Sequence, residues 1–244
     1  MIQTAVILAA GMGTRLRGEV QDYPKGFLKL GAKPIIEESI ERLVRAGIRD
    51  IVIVTGHCAK HYEQLAAEQD GLVRTIHNPQ FADSGSMYSL YCAREVLDGD
   101  FLLLESDLIF EQRALTELLA MPDPDAILLS GPTAAGDEVW VETLDGHLVN
   151  MSKDPAALAG VVAGELVGIS KISKPLFALM QGIAEQAFKT SLRFDYETDC
   201  LVAAATLRPI KCPVVSNLVW SEIDDPSHLQ RAREQIYPRL QQSA

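Results

Sequence analysis

Apolar residues follow two rhythms along this chain. Short continuous runs alternate with stretches whose apolar positions recur at helical spacing, the pattern of a parallel α/β sheet. Ala5-Val6-Ile7-Leu8-Ala9, Ile51 to Thr55, a short run over 72–76 and Phe101 to Leu104 read as buried strands. Between them, 34–46, 59–69 and 86–97 read as helices. In the first, Ile36, Ile40, Leu43 and Val44 share one face, and Gly47 stands where a C-cap belongs. A helix over 111–120 and a strand over 126–130 continue the alternation, which then breaks. Val139 to Thr143 and His147 to Met151 flank Leu144-Asp145-Gly146, a hairpin signal. A strand over 164–170, a helix over 174–189, a strand over 210–215 and a polar helix from about 226 complete the chain. The expectation is one domain over 1–244: a Rossmann-like, mostly parallel sheet flanked by helices, with a small hairpin-bearing insertion at about 132–200.

The 244 residues, 48% hydrophobic and 23% charged, suit one folded domain of this kind. The net charge of −11 argues against a nucleic-acid backbone or an anionic membrane surface as partner. No apolar run approaches the roughly 20 residues of a membrane span. Thr4 to Ala10 has no basic segment before it, so no signal peptide is read and a cytoplasmic location is expected. Cys58, Cys92, Cys200 and Cys212 lie far apart without a CxxC, which suits idle thiols. Whether the chain pairs into a homodimer is left open.

The first strand runs into Leu8-Ala9-Ala10-Gly11-Met12-Gly13-Thr14-Arg15-Leu16. Glycines behind a strand let backbone N–H groups approach a phosphate. The loop is not a dinucleotide fingerprint, because Leu16 takes the third glycine position, and it lacks the Gly-Lys-Ser/Thr of a Walker loop. Basic residues follow it. Residues 1–33 carry Arg15, Arg17, Lys25, Lys29 and Lys33 against Glu19 and Asp22, a net +3, while the rest of the chain sums to −14. A positive loop on an acidic protein is a candidate polyphosphate site.

Two carboxylate sites lie far from it in sequence. Asp107 follows the strand Phe101 to Leu104, at the strand end where α/β sheets place ligands. In Trp220-Ser221-Glu222-Ile223-Asp224-Asp225, an extended backbone would point Glu222 and Asp224 to one face. Three such carboxylates suit Mg²⁺. Asp225, before Pro226, reads as a helix cap.

The loop together with Pro24-Lys25 resembles the signature of the nucleotidyltransferase superfamily that activates sugar phosphates, polyol phosphates and choline phosphate. The resemblance implies that Leu8, Ala9, Ala10, Gly11, Met12, Gly13 and Thr14 wrap a nucleotide triphosphate. It implies that Arg15 and Lys25 neutralise charge at the α-phosphorus and on departing pyrophosphate, and that Gly85 and Ser86 contact base and ribose. For Ser84 and Ser86, helix capping is the alternative reading. The Glu-x-Asp of residues 222–224 is similar to the choline-phosphate cytidylyltransferase branch. Residues 85–90 and 105–111 are similar to cytidylyltransferases that activate 2-aminoethylphosphonate.

For the acceptor, Trp140 on the hairpin and Tyr196, Glu197 and Asp199 form an aromatic-acidic set suited to an ammonium group. Core packing for Trp140, and capping for the acids, remain alternatives. The expected substrates are CTP and an amine-bearing phosphonate or phosphate, 2-aminoethylphosphonate ahead of choline phosphate, with a sugar 1-phosphate behind both. A nucleotide-binding module without turnover is a rival of another class. His57 and His61 have helical ligand spacing but no third ligand nearby, and GxSxG is absent.

Overall fold

The structure is a computed structural model that describes residues 2–16 and 23–242. Arg17, Glu19 and Asp22 lie outside the described residues. In chain order the elements are β1 (Thr4–Ala9), α1 (Ile35–Arg45), β2 (Asp50–Thr55), α2 (Ala59–Ala67), β3 (Val73–His77), α3 (Ser86–Cys92), β4 (Phe101–Glu105), β5 (Leu108–Phe110), α4 (Arg113–Ala120), β6 (Ala126–Ser130), β7 (Trp140–Leu144), β8 (His147–Ser152), β9 (Val161–Ile172), α5 (Lys174–Ala187), α6 (Val202–Ala205), β10 (Val214–Val215), β11 (Trp220–Glu222), α7 (Pro226–Arg231) and α8 (Tyr237–Gln242). The main sheet runs β10-β6-β9-β4-β1-β2-β3, and the β7–β8 hairpin joins it through β9. β1 pairs in parallel with β2 and β4, and β2 with β3.

The expected mostly parallel α/β fold is present, and alternation explains its two-sided core. Val6, Leu8, Val52, Val54 and Leu103 face one side, with Met87 and Leu90 of α3 and Leu176 and Met180 of α5. Ala5, Ile7, Ile51, Ile53, Leu102 and Leu104 face the other, with Ile36, Ile40 and Leu43 of α1. Both faces are covered, which is why these strands read as unbroken apolar runs. Gly47 has φ +96° just beyond α1, the left-handed position that favours glycine.

Four differences from the expectation bear on the site. β9 begins at Val161 and is antiparallel to both β4 and β6, so it and α5 belong to the main sheet and core rather than to an appended insertion. The strand expected over 210–215 shrinks to Val214–Val215 at the sheet edge, just beyond Pro213, whose nitrogen cannot donate. Residues 196–205 are helical: wide turns over Tyr196–Leu201 run into α6. Finally, Leu108–Phe110 forms β5, antiparallel to β11. This ribbon and α7 and α8 enclose a third core of Leu16, Leu28, Ile35, Ile109, Val219, Ile223 and Leu229. The ribbon brings the end of the chain back to the glycine loop.

Candidate active site

The glycine loop leaves β1 at its C-terminal end and closes on itself through Leu16 N–H donating to Gly13 O at 3.1 Å. Gly13 has φ +57°, and a side chain built at Gly11 would meet nothing within 4 Å, so this backbone is open to a ligand. Leu8, Ala9, Gly11, Met12, Gly13, Thr14, Arg15 and Lys25 line a cavity of about 240 Å³. Ala10 is turned inward, and its carbonyl accepts from His57 N–H.

The β5–β11 ribbon explains how residues over a hundred positions apart meet. Glu222 is in register with Leu108, and Ile223 N–H donates to Asp107 O at 3.1 Å. Asp107, Glu222 and Asp224 then offer ligand oxygens within 4.8 Å of one another, while Ile223 points into the third core. Lys25 Nζ donates to Asp107 Oδ2 at 2.7 Å and to Asp224 Oδ1, and Arg15 Nη2 lies 2.9 Å from Asp224 Oδ2. Burial opposes the Lys25 ammonium, but the two carboxylates outweigh it and raise its pKa. The same balance lowers Asp224: burial raises it, and Lys25 and Arg15 pull it down further.

Beyond Asp107 lies a second cavity, of about 250 Å³, which shares Glu105 with the first. Glu105, Glu138, Glu165, Glu197 and Glu222 line it, with Lys153 and Arg231 as cations. Burial and then the Glu197 charge push Glu105 well above the usual carboxylate range. Burial and then Asp107 do the same to Glu222. Burial holds Glu197 at about 7, partly offset by the Tyr196 hydroxyl, which donates to Glu197 Oε1 at 2.8 Å. Glu165 is also pushed up by burial to about 7 and accepts from Thr133 N and Oγ1 at 2.8 and 2.9 Å. Such a chamber favours a ligand that brings positive charge.

The other sequence candidates are placed as follows. Ser86 lines the chamber, and its hydroxyl donates to Asp195 Oδ1 and accepts from Tyr196 N–H, clasping α3 to the 196–205 helix. Gly85 lies beneath that clasp; a Cβ there would stand 2.5 Å from Phe194 O, so the glycine serves a close backbone approach. Tyr196 is buried behind the chamber wall, while Glu197 forms part of it. Trp140 is half-buried on β7, opposite Glu165 and Ser152, and lies outside the chamber lining. Asp199 also lies outside it and accepts from Asp195 N–H at 2.8 Å, a local cap. Asp225 caps α7 through His228 N–H at 2.9 Å. His61 lies tilted against Tyr23 and Phe27, with centroids 4.9 and 5.5 Å away.

Glu105, Glu165, Lys153 and Arg231 had not been singled out. Glu105 carried a signal, a carboxylate closing an otherwise apolar strand; the other three sit in stretches with no distinguishing spacing.

The chain belongs to the family of MobA-like NTP transferase domains, whose profile matches residues 5–136. Over 253 aligned positions it is 30% identical to CMP-5'-(3-aminopropyl)phosphonate synthase of Streptomyces rubellomurinus, covering 98% of this chain and 39% of that protein. It is 37% identical over 114 residues to choline-phosphate cytidylyltransferase of Streptococcus pneumoniae, 47% of this chain and 49% of that one. The chain thus matches 39% and 49% of the length of these two relatives. It is 28% identical over 189 residues to 2-aminoethylphosphonate cytidylyltransferase of Lancefieldella rimae, covering 76% and 73%. Its fold matches the inositol-1-phosphate CTP transferase of T. maritima with a TM-score of 0.82 at 19% identity, over 98% and 95% of the two chains. Among the described residues no helix is long and apolar enough to cross a membrane.

Proposed function

We propose that this chain transfers CMP from CTP to an aminoalkylphosphonate, 2-aminoethylphosphonate in the first instance, and releases pyrophosphate. The observation that carries this reading is the acid-lined chamber sharing Glu105 with the glycine-loop cavity. A triphosphate in one cavity and an ammonium in the other would bring the phosphonate oxygen towards the α-phosphorus. Trp220 is the sole aromatic side chain in the chamber lining among the described residues. Carboxylates rather than ring faces then hold the amine, which suits a primary ammonium better than a quaternary one. The names of the relatives from S. rubellomurinus and L. rimae support the same acceptor class and cytosine as the base.

In the proposed reaction a phosphonate oxygen forms a bond to the α-phosphorus of CTP. The bond from that phosphorus to the β-phosphate bridging oxygen breaks, and pyrophosphate leaves with the electron pair. The acceptor arrives ionised, so no strong base is required. Backbone N–H groups of the loop hold the phosphates, and Arg15 and Lys25 oppose the charge that develops. The chemistry of Asp107, Glu222 and Asp224, three hard oxygen donors within reach of one another, fits Mg²⁺. When bound there, the ion would supply further neutralisation of the phosphates.

The test is to incubate the protein with CTP and Mg²⁺ and follow pyrophosphate release with 2-aminoethylphosphonate, choline phosphate, ethanolamine phosphate and a hexose 1-phosphate. Release is expected to be fastest with 2-aminoethylphosphonate. Turnover with the hexose phosphate alone would move the chain to the sugar branch. Tight CTP binding without release for any acceptor would leave a binding module.

A further inference from the structure

A second group of ligand-bearing side chains shares Asp224 with the first. Asp137, Asp224 and His228 offer ligand atoms within 4.8 Å of one another. His228 Nε2 lies 3.4 Å from Asp137 Oδ1 and 4.0 Å from Asp225 Oδ2, and the imidazole is buried. The set therefore gathers carboxylates around one buried ring. On the carboxylate that the buried His228 ring faces through Nε2, Asp137 Oδ2 is itself buried without a hydrogen-bond partner. A buried carboxylate oxygen lacking a donor is costly unless a cation or a water meets it.

We infer that Asp137, Asp224 and His228 form a binding site for a transition-metal divalent cation of the zinc class, separate from the all-carboxylate site and sharing Asp224 with it. The imidazole decides the class. Mg²⁺ prefers an all-oxygen shell, whereas one nitrogen with two carboxylates suits Zn²⁺ and its neighbours. The 3.4 Å between His228 Nε2 and Asp137 Oδ1 agrees: two ligands at about 2.0–2.1 Å in a tetrahedral shell stand about 3.4 Å apart. Asp224 already accepts from Lys25 and Arg15, so the ion would take one of its remaining lone pairs. Asp137 belongs to the segment between β6 and β7 that walls the acid-lined chamber, and His228 to α7. A bound ion would tie that wall to the carboxylate that Arg15 of the glycine loop meets. The inference does not rest on the proposed acceptor, and its test reads metal rather than turnover.

The experiment is equilibrium dialysis of the metal-stripped full chain against Zn²⁺ with the bound metal counted, alongside ¹H–¹⁵N spectra of the imidazole side chains. With Mg²⁺ in excess to occupy the all-carboxylate site, one zinc per chain is expected, and it should shift a ring nitrogen of His228. H228Q and D137N should each weaken that zinc at least tenfold, while E222Q, which removes no ligand of this site, should leave it unchanged. Circular dichroism checks that the variants fold; should His228→Gln fail to fold, the wild-type spectra and Asp137→Asn still decide. His228 resonances unmoved at saturating zinc, or a His228 imidazolium with no zinc uptake, would overturn the inference. In the second case a proton, not a metal, neutralises the cluster.

Discussion

The glycine-loop cavity and the acid-lined chamber share one residue, Glu105, yet they are built in opposite ways. The first comes largely from two short stretches, 8–15 and 24–25, and its charged side chains already have partners: Lys25 and Arg15 meet Asp107 and Asp224. The second collects Glu105, Glu138, Glu165, Glu197 and Glu222 from five parts of the chain, and its carboxylates crowd one another in a buried space. The difference shows in the pKa directions. Lys25 and Asp224 stabilise each other's charge, whereas Glu105, Glu197 and Glu222 are held towards neutrality. One cavity is prepared before a ligand arrives; the other has its charge completed by one.

Removing the ready-made side of that comparison should have the largest effect. Lys25→Ala is expected to lower kcat by about 10²–10³, the scale of losing one charge-stabilising donor at a reacting centre. Circular dichroism should be unchanged, and unaltered turnover in steady-state assays would take Lys25 out of the chemistry.

The chamber should respond through binding instead. Glu197→Gln is expected to raise KM for the amine acceptor by about tenfold or more, as a buried charge partner is lost, with KM for CTP little changed. Wild-type acceptor KM should also rise as pH falls through about 7, because Glu197 there takes up a proton while an alkylammonium keeps its charge. The sign for stability is opposite. A carboxylate raised from 4.5 to about 7 favours the folded state as pH drops across that window, so the empty protein should gain from this group where binding loses. A KM profile as steep in the Gln variant as in the wild type would place the titrating group elsewhere.

The smallest predicted effect concerns the clasp between α3 and the 196–205 helix, beside the chamber. Gly85→Ala puts a Cβ 2.5 Å from Phe194 O and should cost about 1–3 kcal/mol by overpacking, read as a lowered midpoint in urea. A midpoint unchanged from wild type would mean that residues 192–194 give way freely.

Much of the fold was legible in the residues. β1 to β4 are continuous apolar runs because both faces of the sheet are covered, and α1 shows its buried stripe at Ile36, Ile40 and Leu43. β5 was not legible: three residues long, it exists only through β11. The helix over 196–205 was hidden because its acidic and aromatic residues look like a polar cluster until Tyr196 is buried and Asp199 caps the turn. In the site, the Glu222 and Asp224 alternation was readable as two carboxylates on one face, while Trp140 was drawn in by chemistry alone and its position on β7 takes it out of the chamber lining.

By itself, the sequence determined the strand–helix alternation from β1 to β4, the open glycine loop and the separation of a positive start from an acidic remainder. These depend on local periodicity and on backbone freedom at a few glycines, which act over a handful of residues. Only the tertiary structure decided that Lys25 bridges Asp107 and Asp224, that Glu105 stands between two cavities, and that His228 is enclosed by carboxylates. Those meetings depend on the β5–β11 ribbon and on helices that close over it. Their contacts span up to 199 residues, a distance at which no local pattern records which side chains will meet.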